Sequence, residues 1–248
     1  MSLLASVRRI AILGLVVAML LGPSAALLAQ DGAEPPTVRT KTVLDNINDG
    51  GIVGYVIIAL SIAGVTLIIM YAMSMRRDVL VPPSLLDHVQ GLFDEEDYES
   101  ALDALEQEPS FLSSVLAAGL PKIDRPYEDI EIAMEEAGDQ EAATLHQKIS
   151  YLSLIAAVSP MLGLLGTVKG MVVAFNKIAA SKTSPKPAEL AEGISEALMT
   201  TMMGLIVAIP MTVSYFLFKN RIDTATLEVS SIATEMMERF DVPDVSEV

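Results

Sequence analysis

Three long apolar stretches, separated by polar ones, dominate the chain. Residues 52–75 form a run of about two dozen residues without a charged side chain, and apolar residues also fill most of 149–178 and 194–218. A helix needs about 20 apolar residues to cross the hydrocarbon core of a bilayer. The pattern therefore predicts an all-α membrane protein with three transmembrane helices at 52–75, 149–178 and 194–218.

A shorter apolar run stands near the N-terminus. Arg8 and Arg9 precede about a dozen apolar residues, Ile10–Leu21, and small residues follow as far as Ala29. This order is typical of a secretory signal peptide, and the run is short for a membrane span. We predict a signal peptide at 1–29 and a periplasmic linker at 30–51. The alternative is an uncleaved additional span.

The segment between the first two spans, 76–148, is polar and strongly acidic. Its part from Asp78 to Lys148 holds eighteen carboxylates against three Lys or Arg side chains. Apolar residues recur there at three- and four-residue steps, which predicts amphipathic helices, and prolines divide the segment into about four short ones. We interpret its paired carboxylates as the solvated faces of these helices.

Basic residues follow the first and the third span and indicate the orientation. Arg76 and Arg77 come directly after the first span, and Lys219 and Arg221 after the third. Such residues favour the cytoplasmic side of a membrane. The long helices are therefore expected to extend into a cytoplasmic helical region at 76–148 and a cytoplasmic C-terminal helix at 219–248, with a periplasmic loop at 179–193.

Composition argues against several classes of protein. The chain is 52% hydrophobic with a net charge of −16, and it has no cysteine and two histidines. Nucleotide-binding and serine-hydrolase motifs are absent, and an acidic chain is a poor partner for nucleic acid. We therefore predict no catalytic residue, no metal, no cofactor and no nucleic acid, and a lipid bilayer as the surroundings of the spans.

The second and third predicted spans carry small residues at helical spacing. Such residues on one face let helices approach closely in lipid, and a proline inside a span needs neighbouring helices to compensate its lost hydrogen bond. We assign to helix packing Gly163, Gly166, Gly170, Gly204, Ala208, Pro160 and Pro210.

Polar side chains in the same spans are candidates for an ion path. Glu196 stands about a turn into an apolar helix, where an ionisable group needs water, a partner or a proton. It can also reach the outer interface by snorkelling. Thr167, Thr200 and Thr201 carry hydroxyls at membrane depth. Each of these can bond to its own helix, so a packing role stays open.

Two segments resemble the signature of the MotA/TolQ/ExbB proton channel family: SPMLGLLGT at Ser159–Thr167 and GISEALMTTMMGLIVAIP at Gly193–Pro210. The layout is similar to the ExbB/TolQ branch, with one span, a cytoplasmic helical region and two further spans. Ser159 stands where the family commonly has alanine. Lys169 stands where family members usually have an apolar or small residue. Because it follows Thr167 by two residues in a helix, its side chain should point away from the helix face that carries Thr167.

The resemblance implies a motor subunit of the inner membrane. Five copies would form a ring, lined by the second and third spans, around a single-span partner resembling ExbD or TolR. Proton flow would then drive a TonB-like or TolA-like protein. Thr167 and Thr201 would be pore hydroxyls, with Thr200 beside them and Glu196 near the outer pore.

Two further interpretations remain open. With the N-terminal run uncleaved, the order of spans becomes that of a MotA-like flagellar stator subunit. The chain can also be a non-conducting membrane scaffold that only assembles partners. The hydroxyls and Glu196 are the features that separate a channel from a scaffold.

Overall fold

The computed structural model describes residues 51–180 and 187–241. Within these ranges, the side chains of residues 177, 187–190, 192 and 196 lie outside the described set. The predicted signal peptide at 1–29 and all but the last residue of the predicted linker at 30–51 also lie outside the described residues.

All regular elements in the described ranges are helices. Two of them, α6 and α7, are more than fifty residues long and continue through their apolar stretches without a break. The elements are α1 (Gly51–Ser74), α2 (Arg77–Leu80), α3 (Pro83–Asp94), α4 (Tyr98–Gln107), α5 (Phe111–Gly119), a 3₁₀ turn (Leu120–Lys122), α6 (Tyr127–Ala180), α7 (Pro187–Met237) and a second 3₁₀ turn (Glu238–Phe240).

Three of the described helices are long and apolar enough to cross a membrane. The candidate spans lie within Gly51–Ser74, Tyr127–Ala180 and Gly193–Phe240, the last of which includes the second 3₁₀ turn, and their most apolar windows have mean hydropathies of 2.6, 1.8 and 1.8. A helix of 54 residues is about 80 Å long, whereas the hydrocarbon core is about 30 Å thick. The prediction of an all-α membrane protein, with long helices that extend beyond their spans, is confirmed.

The first residues of the short helices are stabilised by local capping interactions. Pro83 occupies the first turn of α3, where its missing N–H is no loss. The Asp97 carboxylate caps α4 by accepting from the Ser100 N–H at 3.1 Å. Hydrogen bonding to Ser100 also holds the pKa of Asp97 below its ordinary value. Ser110 and Ser113 form a reciprocal capping box at the start of α5.

The chain divides into two compact units. Of the described residues, the first unit contains 51–62, 155–180 and 187–210, and the second contains 63–154 and 211–241. In the second unit, α3, α4 and α5 carry buried apolar side chains, which include Leu85, Val89, Phe93, Leu105, Phe111, Leu112 and Leu116. The first unit holds both segments that resemble the family signature.

Candidate functional site

In the first unit, α6 and α7 touch through their backbones. A Cβ atom on Gly163 would lie 2.9 Å from Thr201 Cα, and one on Gly204 would lie 2.5 Å from the Ser159 carbonyl oxygen. Real Cβ atoms essentially never approach other atoms so closely. Glycine is therefore required at both positions by the spacing of the helices rather than by backbone conformation.

The same contact continues along both helices, where side chains are the nearest obstacles to an added Cβ atom. A Cβ on Gly166 would collide with the Thr200 side chain, and one on Gly170 would lie 3.0 Å from Ala197 Cβ. Near the start of α7, a Cβ on Gly193 would lie 3.0 Å from Ala174 Cβ. Successive contact positions along α6 pair with progressively earlier positions along α7. The two helices therefore pack antiparallel across a stripe of small residues.

The remaining residues assigned to packing lie within the same two helices. Ala208 is buried on α7, whereas Pro160 and Pro210 are half-buried inside α6 and α7. Neither proline ends its helix in the structure. Proline at an interior position removes one helical hydrogen bond, and buried neighbours are what make that loss tolerable in a membrane.

Thr200 is committed to the contact between the two helices. Its side chain is buried, and its hydroxyl lies 2.7 Å from the Ala197 carbonyl of its own helix and 3.2 Å from the Gly163 carbonyl of α6. One hydroxyl proton is thus shared between two acceptors. Ser159, which is also buried, donates to the Ile155 carbonyl at 2.7 Å within α6.

Thr201 is different, although it is the next residue. Its hydroxyl oxygen is buried and has no hydrogen-bond partner among the described residues. A helical threonine ordinarily bonds back to the carbonyl three or four residues earlier. The carbonyl four residues before Thr201 belongs to Ala197, and it already accepts a hydrogen bond from the Thr200 hydroxyl. An unsatisfied buried hydroxyl costs about 1–3 kcal/mol, so Thr201 is the polar group of this pair that still requires a partner.

Thr167 and Lys169 lie on more open parts of α6. Thr167 is partly exposed and donates to the Leu164 carbonyl at 2.7 Å, which leaves its two lone pairs able to accept. Lys169 is exposed, and its Nζ lies 3.8 Å from the position of a Cβ on Gly51, the first residue of α1. The ammonium group therefore lies level with the beginning of the first apolar helix.

The backbone of Glu196 lies on α7, but its side chain is outside the described set. Ala197, the next residue, packs against Gly170 of α6. The role of Glu196 therefore stays a prediction. In the described residues, no group of three or more His, Cys, Asp or Glu side chains is placed to hold a metal ion.

The part of α1 that lies in the second unit makes contacts with α7 that the sequence did not predict. A Cβ on Gly64 would lie 2.5 Å from Met211 Sδ of α7, and the rings of Tyr71 and Phe218 meet edge to face with centroids 6.1 Å apart. Gly64 and Tyr71 are seven residues apart, as are Met211 and Phe218. This shared heptad spacing is typical of helices that pack side by side. It is the sequence pattern from which the contact between α1 and α7 could have been predicted.

Polar contacts continue beyond the Ser74 end of α1. Arg77 donates from Nε to Glu228 Oε1 at 2.8 Å. His146 Nε2 of α6 lies 3.1 Å from Asp223 Oδ1 of α7. The hydrogen bond with Glu228, followed by the charge of that carboxylate, raises the pKa of Arg77 above its ordinary value. These contacts join α7 to its neighbours through long polar side chains rather than through small ones.

Comparison with known proteins gives a consistent result. The profile of the MotA/TolQ/ExbB proton channel family matches residues 103–231. An ExbB homologue of Methanothermobacter thermautotrophicus is 31% identical over 183 residues, which cover 73% of this chain and 64% of that protein. The biopolymer transport protein ExbB of Salmonella typhimurium is 39% identical over 87 residues, 35% of each chain.

A solved structure supports the fold independently of the sequence. The structure of C. jejuni MotAB matches with a TM-score of 0.52, covering 97% of this chain and 90% of that one, at 15% identity. At this identity the likeness concerns the fold alone. The matched stretches span 64% and 35% of the lengths of the two relatives above.

Proposed function

Because this chain belongs to the MotA/TolQ/ExbB proton channel family, we propose that it is an ExbB/TolQ-like subunit of a motor driven by the proton-motive force. The family and the three apolar helices make it a multi-pass protein of the inner membrane. In this proposal, five copies form a ring around a single-span partner resembling ExbD or TolR. The ring energises a TonB-like or TolA-like protein.

The observation that carries the proposal is the hydroxyl of Thr201. It is buried between apolar helices, has no partner among the described residues, and stands in the segment that resembles the family signature. A neutral hydroxyl both donates and accepts, so it can join a chain of waters or a partner's carboxylate without trapping the proton. We place Thr201 and Thr167 on the proton path and Glu196 near its outer end.

We assign Thr200 to helix packing in this proposal, although it was first grouped with the path. Its proton is shared between the Ala197 and Gly163 carbonyls, at 2.7 and 3.2 Å. Releasing it toward a pore would break the hydrogen bond that joins α7 to the Gly163 carbonyl of α6. The two adjacent threonines therefore take different roles, and Thr200 becomes the matched control for Thr201.

The test is proton flux in liposomes that contain the chain together with its single-span partner. Thr201→Val keeps the shape of the side chain and removes the hydroxyl. We expect an intact assembly with strongly reduced flux, since a hydrogen bond to a charged group contributes about 1.5–3 kcal/mol. Thr167→Val should act in the same direction. Glu196→Gln should lower flux if that residue exchanges protons.

Thr200→Val is the control in this experiment. It should reduce the stability of the assembly while the flux per intact assembly stays close to that of the wild type. Full flux in the Thr167→Val/Thr201→Val double variant would end the proton-path assignment and favour the non-conducting scaffold.

Orientation needs a separate measurement. We propose that 76–148 and the C-terminal helix are cytoplasmic, that 179–193 is periplasmic, and that a signal peptide is removed from the N-terminus. A cysteine introduced at Ser100 should resist an impermeant thiol reagent in intact cells, whereas one at Ser184 should react. The reverse pattern would contradict this orientation.

A MotA-like stator subunit is the second candidate, and the fold likeness to C. jejuni MotAB is the observation that favours it. The partner separates the two. Co-purification with an ExbD-like or TolR-like single-span protein supports the first function, and co-purification with a flagellar stator partner supports the second.

A further inference from the structure

One side chain in the second unit, Tyr71 of α1, touches both of the other long helices. Tyr71 is 4% exposed, and its hydroxyl donates to the Lys148 carbonyl of α6 at 2.6 Å. On its other side, its ring meets Phe218 of α7 edge to face, with centroids 6.1 Å apart and planes at 82°. Three helices are thus joined through one residue near the Ser74 end of α1.

The two halves of this connection have different chemistry. A phenylalanine would keep the edge-to-face contact with Phe218, because that contact needs only the ring. The hydroxyl alone reaches α6, where Lys148 lies inside a continuous helix and its carbonyl has a second lone pair to accept with. In an apolar setting an unpaired phenol hydroxyl is costly, so its presence fixes α6 at this distance from α1.

Other contacts distinguish the two neighbours of α1. Toward α7, the ring contact is supported by Gly64 against Met211 and by the Arg221 Nη1 donor, 3.4 Å from the Met75 carbonyl. Toward α6, the Tyr71 hydroxyl donates to the Lys148 carbonyl from within the apolar helix α1. Loss of this hydroxyl should therefore loosen α6 from α1 and leave the α1–α7 pair in place.

We propose that Tyr71 is a positioning residue for the proton-driven motor. It holds α6 and α7 at a fixed separation near the Ser74 end of α1, and the work done per assembled ring depends on that separation. This inference rests on the proposed function. It concerns a residue outside the segments that resemble the family signature and outside the assigned proton path.

The structural half of the test measures two distances in the full-length protein with spin labels. Labels at Ser74 and Ser150 report the separation of α1 and α6, and labels at Ser74 and Asn220 report that of α1 and α7. All three positions are exposed. Labelled subunits are diluted with unlabelled ones, so that each assembly contributes one pair.

In Tyr71→Phe, the Ser74–Ser150 distribution should broaden while the Ser74–Asn220 distribution stays narrow. Phe218→Leu should give the opposite pattern. Tyr215→Phe is the matched control, because Tyr215 is half-buried on α7 and its hydroxyl has no hydrogen-bond partner among the described residues. Unchanged distributions in Tyr71→Phe would overturn the proposal.

The functional half measures proton-driven activity per assembled complex in cells or liposomes. Tyr71→Phe should lower it about two- to tenfold, the change that the loss of one net hydrogen bond corresponds to. Tyr215→Phe should match the wild type. A merely structural role would reduce the amount of assembled complex and leave the activity of each complex unchanged.

Two outcomes would overturn the proposal in distinguishable ways. Wild-type activity per complex in Tyr71→Phe, despite a broadened Ser74–Ser150 distribution, would remove the positioning role and leave the proposed function standing. An absence of proton-driven activity in the wild-type protein itself would overturn the proposed function, and the role of Tyr71 with it.

Discussion

The two units of this protein hold helices together by opposite means. In the first unit, α6 and α7 meet through glycines so closely that a Cβ on Gly204 would lie 2.5 Å from a backbone oxygen. In the second unit, α1 meets its neighbours through long side chains, with Met211 over Gly64 and Tyr71 against Phe218. Lipid gives little hydrophobic drive for helix association, so both designs rely on packing and hydrogen bonds.

The difference indicates which contact can adapt. A backbone-to-backbone contact cannot yield locally, because moving one atom means moving the helix. A methionine side chain has three rotatable bonds and can yield at small cost. We therefore expect the first unit to tolerate almost no added volume, and the second to tolerate some.

The largest expected effect comes from adding one methyl group to the glycine contact. Gly204→Ala places a Cβ 2.5 Å from the Ser159 carbonyl oxygen. Because overpacking of this kind costs about 1–3 kcal/mol and the obstacle here is backbone, we expect a loss near the upper end. Thermal unfolding in mild detergent, together with the size of the assembly, measures it.

Gly91→Ala is the matched control for Gly204→Ala. Gly91 lies on the exposed face of α3, where nothing lies within 4 Å of an added Cβ. The same change should stabilise the protein there by about 0.5–1 kcal/mol, because alanine loses less conformational freedom in a helix. A Gly204→Ala variant as stable as the wild type would contradict the close contact.

The next largest effect is a difference in the free energy of unfolding between variants of Thr200 and Thr201, two adjacent residues of the first unit. Thr200→Val removes the bond that joins α7 to the Gly163 carbonyl, at a cost of about 0.5–1.5 kcal/mol. Thr201→Val removes a buried hydroxyl that has no partner among the described residues, so it should be neutral or stabilising. Equal losses in the two variants would show that the hydroxyls are equivalent.

A smaller effect is expected from the corresponding glycine of the second unit. Gly64→Ala brings a Cβ within 2.5 Å of Met211 Sδ and 2.6 Å of its Cε, the far end of a flexible side chain. Because Met211 can rotate away, we expect a loss below about 1.5 kcal/mol. A penalty as large as that of Gly204→Ala, by the same unfolding measurement, would remove the distinction between the units.

Much of this comparison was visible in the sequence, and the reason is periodicity. The spans follow from the length of uninterrupted apolar runs. The four-residue spacing of Gly166 and Gly170, and of Thr200 and Gly204, places small residues on one face of each helix. The family signature lies on these same helices, and the family assignment made from it is confirmed by the match to residues 103–231.

Other features depend on distances between helices, which no local pattern contains. Thr200 and Thr201 are identical neighbours, yet the Thr200 hydroxyl reaches the Ala197 and Gly163 carbonyls, whereas the Thr201 hydroxyl has no partner among the described residues. The hydrogen bond from Tyr71 to Lys148 joins residues 77 positions apart. The sequence predicts that the two threonine hydroxyls lie at membrane depth, but which hydroxyls find hydrogen-bond partners depends on how α1, α6 and α7 pack.

The smallest expected effect concerns the ion pair at the polar end of the second unit. Arg77 and Glu228 have side chains that are 61% and 29% exposed, and Arg77 Nε lies 2.8 Å from Glu228 Oε1. Water and salt screen such a pair, so Arg77→Gln should cost less than about 1 kcal/mol. Arg76→Gln is the control, because Arg76 has no ion pair among the described residues.

The salt dependence makes this last prediction sharper than the loss itself. In low salt, Arg77→Gln should unfold at a slightly lower temperature than Arg76→Gln, and the gap should close as the ionic strength approaches 1 M, where the screening length is about 3 Å. The cost of Gly204→Ala, which is steric, should stay constant over the same range. A gap for Arg77→Gln that does not change with salt would mean that its side chain acts through packing, as the glycines of the first unit do.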